Sequence, residues 1–463
     1  MPSAPESHAH SPSPVGTLSY EQSGVRYDSI DPLKVAAQRA VASTARHLTA
    51  HGFSEIAASR GESAYVVDVG PFCIATIVEC LGSKALVADE MHALTGRNYY
   101  AGIAQDTIAM AINDLITVGA TPLIVQAYWA AGGSAWFDDV DRSAALVEGW
   151  KRACDVCGVA WGGGETPALA GIVQDGRIDL AASCTGIVSP KQRLSLGEAL
   201  APGDAIVLLA SSGIHANGLS LARRLIERLP QGYLTPLPSG VTYGAALLAP
   251  TLLYSPVTEA LFAAGITPHY CANITGHGWR KLLRHPAQLG YRIDALPPVP
   301  EVLQFIQQHA GHDARQAYST FNMGAGFALF VAPGDAKRTV AVACDSVSPA
   351  EDGCEELELG PLLLDLPLGV AGAERQFTVP LAAAAAGALV AVATGLTGLA
   401  PVLSYALAGF VTATVAQEFV RGVRARRALH GEGAPAALGA LFRRNGRRYG
   451  GYVVHLGIVV IAL

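Results

Sequence analysis

The sequence predicts an α/β fold in two domains, followed by an apolar helical tail of transmembrane character. Three observations carry this. Short β-rich stretches alternate with helical ones over the first three hundred residues. A turn, a buried strand, a loop and a helix begin afresh near residue 200. The chain then runs without a formal charge from Phe377 to Gln417, longer than the roughly 20 residues that cross a bilayer. With 51% hydrophobic and only 15% charged residues, the 463-residue chain is too apolar for soluble domains alone.

The elements follow in order. Residues 1–17, rich in Pro, Ser and His, predict a disordered tail. From Asp31 to about His51, an Asp cap, a Pro in the first turn and a closing Gly predict a helix. "AYVVDV" and "CIATIVEC" read as strands, "QDTIAMAINDLITVGA" as a helix with an apolar face, and "PLIVQAYWA" as a further strand. The helix "DRSAALVEGWKRACDVCG" leads into "VAWGGGET". A boundary is expected between Ser189 and Pro202, after which "AIVLLA" reads as a buried strand and "HANGLSLARRLIERL" as a loop running into a helix. "YSTFNMGAGFALFVAP" closes this unit as a loop and a buried strand, and "PAEDGCEELELGP" is an acidic linker. The domains expected are 18–190, 191–345, a linker over 346–376 and the tail over 377–463.

Net charge is −6, but residues 418–448 hold eight arginines against Glu418 and Glu432, so the rest of the chain is strongly acidic. An acidic body argues against nucleic acid as partner, because phosphate binding needs a basic surface. Eight scattered cysteines suit a reducing compartment. Cys154 and Cys157 form a lone C-x-x-C without the second pair that zinc would want, so two thiols on a helix is the simpler reading.

Four stretches gather polar groups beside glycines, as a nucleotide and phosphate site does. "ECLGSKALVADE" places Gly82, Ser83 and Lys84 after a strand, where backbone N–H groups, a hydroxyl and an ammonium suit phosphate oxygens; on this motif alone a plain strand-end turn with a solvated lysine is the simpler reading. "QDTIAMAINDLI" sets Asp106 and Asn113 on one helical face with Asp114 beside them, oxygen ligands of the kind Mg²⁺ takes, although Asp106 near a helix start can also serve as a cap. "WGGGET" offers Gly162, Gly163, Gly164, Glu165 and Thr166, either a backbone passing close to a ligand or a tight turn. "SSGIHANG" carries Ser211, Ser212, His215 and Asn217 between strand and helix. A lone His is more often structural, yet one at a strand's C-terminal end is placed for proton transfer or phosphate contact.

In order and spacing these stretches resemble the aminoimidazole ribonucleotide synthetase family, also called phosphoribosylformylglycinamidine cyclo-ligase. "LGSK" looks like that family's G-V-G-T-K, and "QDTIAMAINDLITVGATPL" its I-D-x-V-A-M-x-V-N-D-x-x-x-x-G-A-x-P-L. "GGGET" is similar to G-G-E-T and "SSGIHANGLSLAR" to S-S-G-x-H-S-N-G-Y-S-L-x-R. "LLAPTLLY", "NITGHGWRKLLR" and "TFNMGAGFAL" continue the likeness, which covers roughly Leu18 to Pro333. The departures are Glu79 for the family's Asp, Cys80 for the following glycine, Gln126 or Ala127 for the Asp of D-Y-x-A, and His277 within what the family writes as H-I-T-G-G-G-L. Its upstream G-G-F-G has no counterpart.

The resemblance implies a two-domain synthetase that dimerises through its N-terminal domains, uses ATP and Mg²⁺, and closes the imidazole ring of a phosphoribosyl substrate. It assigns Lys84, His215 and Glu165 to catalysis, Gly82, Ser83, Lys84, Asn113, Gly163, Gly164 and Asn217 to nucleotide and substrate binding, and Asp106 and Asp114 to the metal. A related enzyme with another substrate is the nearest alternative.

The tail divides at "TGLTGLAP" into two apolar halves, which predicts a helical hairpin in the membrane. The arginine cluster after it belongs on the cytoplasmic side, and two crossings return the body to that side, tethered to the inner face of the membrane. From "TATVAQEF" to "RRYGGYVVHLGIVV" the tail resembles part of a CcmF-type cytochrome c maturation haem lyase subunit, with His455 at that family's motif histidine. The run from Tyr449 to Leu463 is too short to span and reads as a crossing cut short. A membrane assembly protein with an inactive synthetase module is therefore the alternative of a different class.

Overall fold

The computed structural model describes residues 27–287, 289–293, 296–346, 371–430, 433–436 and 438. The tail expected to be disordered, the acidic linker and the closing arginine-rich stretch with His455 lie outside the described residues. Of the described residues, those up to 287 and those from 292 to 346 form one compact unit, and 289–291 with those from 371 onward belong to another.

In chain order the first unit runs α1 (Tyr27–Thr44), α2 (Arg46–Thr49), β1 (Ser54–Glu55), β2 (Tyr65–Asp68), β3 (Cys73–Cys80), α3 (Lys84–Thr95), α4 (Tyr100–Leu115), β4 (Thr121–Ala131), α5 (Val140–Cys157), β5 (Ala160–Glu165) and β6 (Ile178–Val188). It continues with β7 (Ala205–Ala210), α6 (Leu219–Leu225), α7 (Tyr243–Leu247), α8 (Ser255–Ala263), β8 (Tyr270–Asn273), α9 (Glu301–Ala310), α10 (Ala314–Tyr318), β9 (Ala325–Val331) and α11 (Ala336–Ser346). Two sheets result, one of six strands in the order β1-β2-β3-β6-β4-β5 and one of three in the order β7-β9-β8. The family resemblance thus carries over to a two-sheet α/β body.

One face of the large sheet is covered and the other is open. Alternation along β6 buries Ile178, Leu180, Ala182, Cys184, Gly186 and Val188 and leaves the residues between them partly or fully exposed. On the covered face lies α4, in which all but three residues are buried, so it is a core helix rather than an amphipathic surface one. Helix α5 crosses it closely: a Cβ at Gly149 would stand 2.4 Å from the Ala101 carbonyl oxygen, so only glycine permits that approach. The open face shows Val78 at 70% and Ile124 at 43% exposure.

Two expectations change here. The first helix starts at Tyr27, a turn before Asp31, so Pro32 falls inside it and Asp31 is not its cap. "WGGGE" is strand β5, not a turn. It pairs parallel with β4, whose register shifts between Val125 and Ala127, and at that bulge a Cβ on Gly164 would lie 2.0 Å from the Ala127 oxygen. Cys154 and Cys157 sit buried on α5 as free thiols, pushed up by burial to about 11 and about 12, which keeps them protonated and unreactive at neutral pH.

In the second unit, α12 (Ala371–Ala393) and α13 (Leu399–His430) pack on each other across a turn in which Gly395 takes φ +84°. Glycine sets their spacing. A Cβ on Gly387 would meet the Tyr405 oxygen at 2.2 Å, and one on Gly409 the Ala383 oxygen at 2.2 Å. Among the described residues one stretch, Leu399–Ala416, is long and apolar enough to cross a membrane, with mean hydropathy 1.7; Leu381–Ala393 falls short. The hairpin is as expected, but two full crossings are not.

Candidate active site

Helix α4 carries the polar residues of "QDTIAMAINDL" into the interior, where they grip the chain between Ala249 and Tyr254. Asp106 accepts from the Lys84 ammonium at 2.8 Å, from the Thr251 backbone N–H at 2.8 Å and from the Thr251 hydroxyl at 2.5 Å, all through Oδ1. Lys84 also donates to the Ala249 carbonyl at 2.7 Å. Two turns further along, Asn113 donates to the Leu252 carbonyl (2.8 Å) and accepts from the Tyr254 N–H (3.0 Å). Gln105 donates to the Thr251 carbonyl at 2.8 Å. These groups join the half of the body that contains the large sheet to the half that contains the small one.

Lys84 and Asp106 are both 0% exposed. Burial pulls the lysine down and pushes the aspartate up, each opposed by the other's charge. The ammonium is therefore spent inside the core and does not lie at an open phosphate site as the G-S-K reading expected. Gly82 (φ +74°) and Ser83 form the turn into α3 beside it, and the Ser83 side chain makes no cap bond.

Asp114 accepts from Asn273 at 2.7 Å. Beside it on β3 is Glu79, pushed up to about 7 by burial first and by the Asp114 charge second, with Lys281 opposing. Lys281 and Arg284 face Asp114 as well, and Arg284 donates to Ser63 at 2.6 Å. Asp106 and Asp114 do not converge. Eight residues apart on one helix, they are separated by about 12 Å of rise, whereas two oxygens on one Mg²⁺ lie at most about 4 Å apart. Among the described residues no set of three or more His, Cys, Asp or Glu side chains gathers for a metal. The side chains present do not fit the resident Mg²⁺ site that was expected, and cationic Lys281 and Arg284 offset the Glu79–Asp114 charge instead.

The loop end of the small sheet is the strained part of the molecule. Strands β7 and β8 both run antiparallel to β9, so the loops after β7 and β8 and the loop before β9 emerge together. Each contains a non-glycine residue with left-handed backbone: His215 (φ +59°), His277 (φ +71°) and Met323 (φ +43°). These are the only such residues among those described. Strain of this kind, about 1–3 kcal/mol per residue, persists where surrounding structure holds it, and functional loops are the usual place.

His215 is buried, and its Nε2 accepts the Ser212 N–H at 3.2 Å, leaving the ring proton on Nδ1. Burial, with help from the Lys84 charge, drives its pKa down to about 3. Asn217 reaches Met110 of α4 at 3.6 Å, which brings this loop to the polar helix. Asn322 braces the loops by accepting from Ser211 (2.9 Å) and donating to the Gly213 carbonyl (2.8 Å).

Gly163, Gly164 and Glu165 stand apart from these groups, exposed on edge strand β5. With Val78, Gln126, Tyr128 and Ser183, Gly164 and Glu165 line a shallow cavity of about 340 Å³ on the open face of the large sheet. The expected residues thus fall into a buried joint, a strained loop cluster against α4, and the open sheet face. Sequence reasoning missed Glu79, Asn273 and Lys281 as one polar group around Asp114. Its signal was present in the departure at Glu79 and in the Lys of "NITGHGWRK".

The family described as "AIR synthase related protein" matches twice, its N-terminal domain over residues 61–188 and its C-terminal domain over 201–347. A protein of Methanothermobacter thermautotrophicus named phosphoribosylformylglycinamidine cyclo-ligase is 34% identical over 74% of this chain and 97% of its own length. The chain belongs to the AIR synthase family. Proteins of the same name from Sorangium cellulosum (38% identical, 53% of this chain, 70% of theirs) and Methanosarcina barkeri (34%, 61% and 80%) are also similar. A solved structure titled as a HypE–HypF complex overlaps with TM-score 0.42 and 17% identity, over 61% of this chain and 82% of that one. The two AIR synthase matches cover every strand of the two sheets but β1 and leave the α12–α13 hairpin outside.

Proposed function

We propose that this chain is an ATP-dependent cyclo-ligase, converting formylglycinamidine ribonucleotide and ATP to aminoimidazole ribonucleotide, ADP and phosphate. The observation that carries the reading is the likeness to a named cyclo-ligase along nearly that protein's whole length, joined to a strained loop cluster facing a polar helix. The amide oxygen of the substrate is a poor leaving group. Attack of that oxygen on the γ-phosphoryl of ATP breaks the bond to ADP and leaves the oxygen phosphorylated, and it departs as phosphate when the internal amidine nitrogen attacks the same carbon and closes the ring. Such catalysis is mostly positioning and charge neutralisation.

In this scheme the Lys84–Asp106–Thr251 joint and Asn113 position the two halves and touch no substrate. His215 is neutral and offers its Nδ1–H as a hydrogen-bond donor, not as a proton carrier. Asn217 and His277 face the substrate phosphate, and Mg²⁺ arrives with the nucleotide. Domains 18–190 and 191–345 supply the nucleotide and loop sides respectively. A second copy of the chain covers the open sheet face with Val78, Ile124 and Glu165, in keeping with a homodimer. The Leu399–Ala416 helix, with α12 doubled back beside it as a hairpin that returns the chain to its starting side, supports a membrane tether for a body facing the cytoplasm.

The test is release of ADP by the purified full-length chain, dependent on formylglycinamidine ribonucleotide. ATP turnover absent with that substrate but present with another amide would favour the related-enzyme reading, and no turnover with any would refute both. Sedimentation reporting a monomer would remove the dimer, and recovery of the chain in the soluble fraction without detergent would remove the tether.

A further inference from the structure

A second cavity of about 660 Å³ lies where α3 meets α6 and the 3-10 turns that follow α6. It is lined by Glu90 and Leu94 on one side and by Ser220, Arg223, Arg224, Glu227, Gln231 and Tyr233 on the other. None of the expected site residues lines it.

Its charges do not cancel. Glu90 is engaged by Arg177 at 2.6 Å, and Glu227 by Arg224 at 3.1 Å. Arg223 has no carboxylate partner among the described residues; its guanidinium reaches the Tyr233 hydroxyl, and its Nε is buried without any hydrogen-bond partner. That Nε is shut off from the cavity, so the terminal guanidinium nitrogens are the groups a ligand meets there, and an oxyanion is the partner whose geometry suits them. Around it stand neutral donors, the Ser220 hydroxyl, the Gln231 amide and the Tyr233 phenol, while Leu94 and Ile226 supply apolar wall. Its volume exceeds what a bare anion fills.

We propose that this cavity is a second ligand site, taking a small organic phosphate monoester whose phosphate seats on Arg223. It goes beyond the cyclo-ligase reading and stands whether or not that reading does. The ligand would pin α3, which begins at Lys84 of the joint, to α6, which follows the His215 loop. Binding here is thus placed to stiffen both sides of the candidate active site.

Isothermal titration of the full-length chain with sn-glycerol 3-phosphate, and with inorganic phosphate in parallel, tests this. Arg223→Gln should weaken binding of the monoester by about tenfold or more, the loss of a charge-assisted contact, and Arg223→Lys by less. Leu94→Trp fills the cavity from an exposed helix position and should abolish binding without touching the arginine. Asn217→Ala, in the loop cluster, should leave binding unchanged. The proposal is overturned by no binding at ~20 mM of either probe, a range that still detects weak sites. It is equally overturned if Leu94→Trp binds like the parent or if Asn217→Ala abolishes binding. Should Arg223→Gln fail to fold, the Leu94→Trp and Asn217→Ala pair still decides.

Discussion

Replacing Lys84 by Met tests whether the lysine holds the body together or holds a phosphate. Its ammonium is 0% exposed and makes two bonds, to Asp106 Oδ1 at 2.8 Å and to the Ala249 carbonyl at 2.7 Å. Methionine matches the stem but leaves the Asp106 carboxylate uncompensated, with Oδ2 already lacking a partner. Breaking a buried pair from one side costs about 3–5 kcal/mol, and the orphaned carbonyl adds about 1 kcal/mol. For a body of this size, at ~2–4 °C per kcal/mol, the melting temperature should fall by about 10 °C or more. Scanning calorimetry of the full-length chain reads this directly. Adding Asp106→Leu should recover part of the loss, since the pair then vanishes together, and the cycle should show a coupling above about 2 kcal/mol. A Lys84→Met chain that melts within about 2 °C of the parent while its KM for ATP rises severalfold would refute the joint and restore the phosphate role.

Three more outcomes follow from the same geometry. His215 titrates near 3 when folded and near 6.5 when unfolded, so the unfolded state binds the extra proton between these values; stability should be full above pH 6.5 and decline by several kcal/mol towards pH 3. His215→Gln should flatten that part of a urea-denaturation pH profile, and an unchanged slope would exclude His215 as its source. Glu79 titrates upward to about 7 from 4.5, so stability should fall as pH rises from 4.5 to 7 and level off above; Glu79→Gln should remove the decline, which the same profile reads. Gly164→Ala drives a Cβ into the Ala127 carbonyl and should cost about 1–3 kcal/mol, as overpacking does, with faster amide exchange along β5; protection equal to the parent would contradict the strand geometry.

Local pattern was enough for the regular elements. "AIVLLA" is β7, "CIATIVEC" is β3, and the helix through Asp106 and Asn113 is α4, because each depends on periodicity within its own few residues. What the pattern could not carry was partnership. Asp106 reads alike as cap, metal ligand or ion-pair member until Thr251, far along the chain, is seen bonded to it. "WGGGE" looks like a turn because glycines favour turns, and only its parallel pairing with β4 makes it a strand. The loop cluster was half legible: His215 stood out by its glycines, but the shared left-handed backbone of His215, His277 and Met323 is a property of coordinates, not of letters. The charge of Glu79 depends on Asp114 across a layer of packing.

The grip of α3 and α4 on residues 249–254 falls almost wholly on main-chain atoms: the carbonyls of Ala249, Thr251 and Leu252 and the N–H groups of Thr251 and Tyr254. Of the side chains there, only the Thr251 hydroxyl takes part in these bonds. A latch of this kind is indifferent to which residues it holds and intolerant of how many. Side-chain replacements at Leu252 leave the latch groups in place, whereas inserting or deleting one residue would shift every carbonyl past its donor. Drift can rewrite the spelling of this segment but not its length.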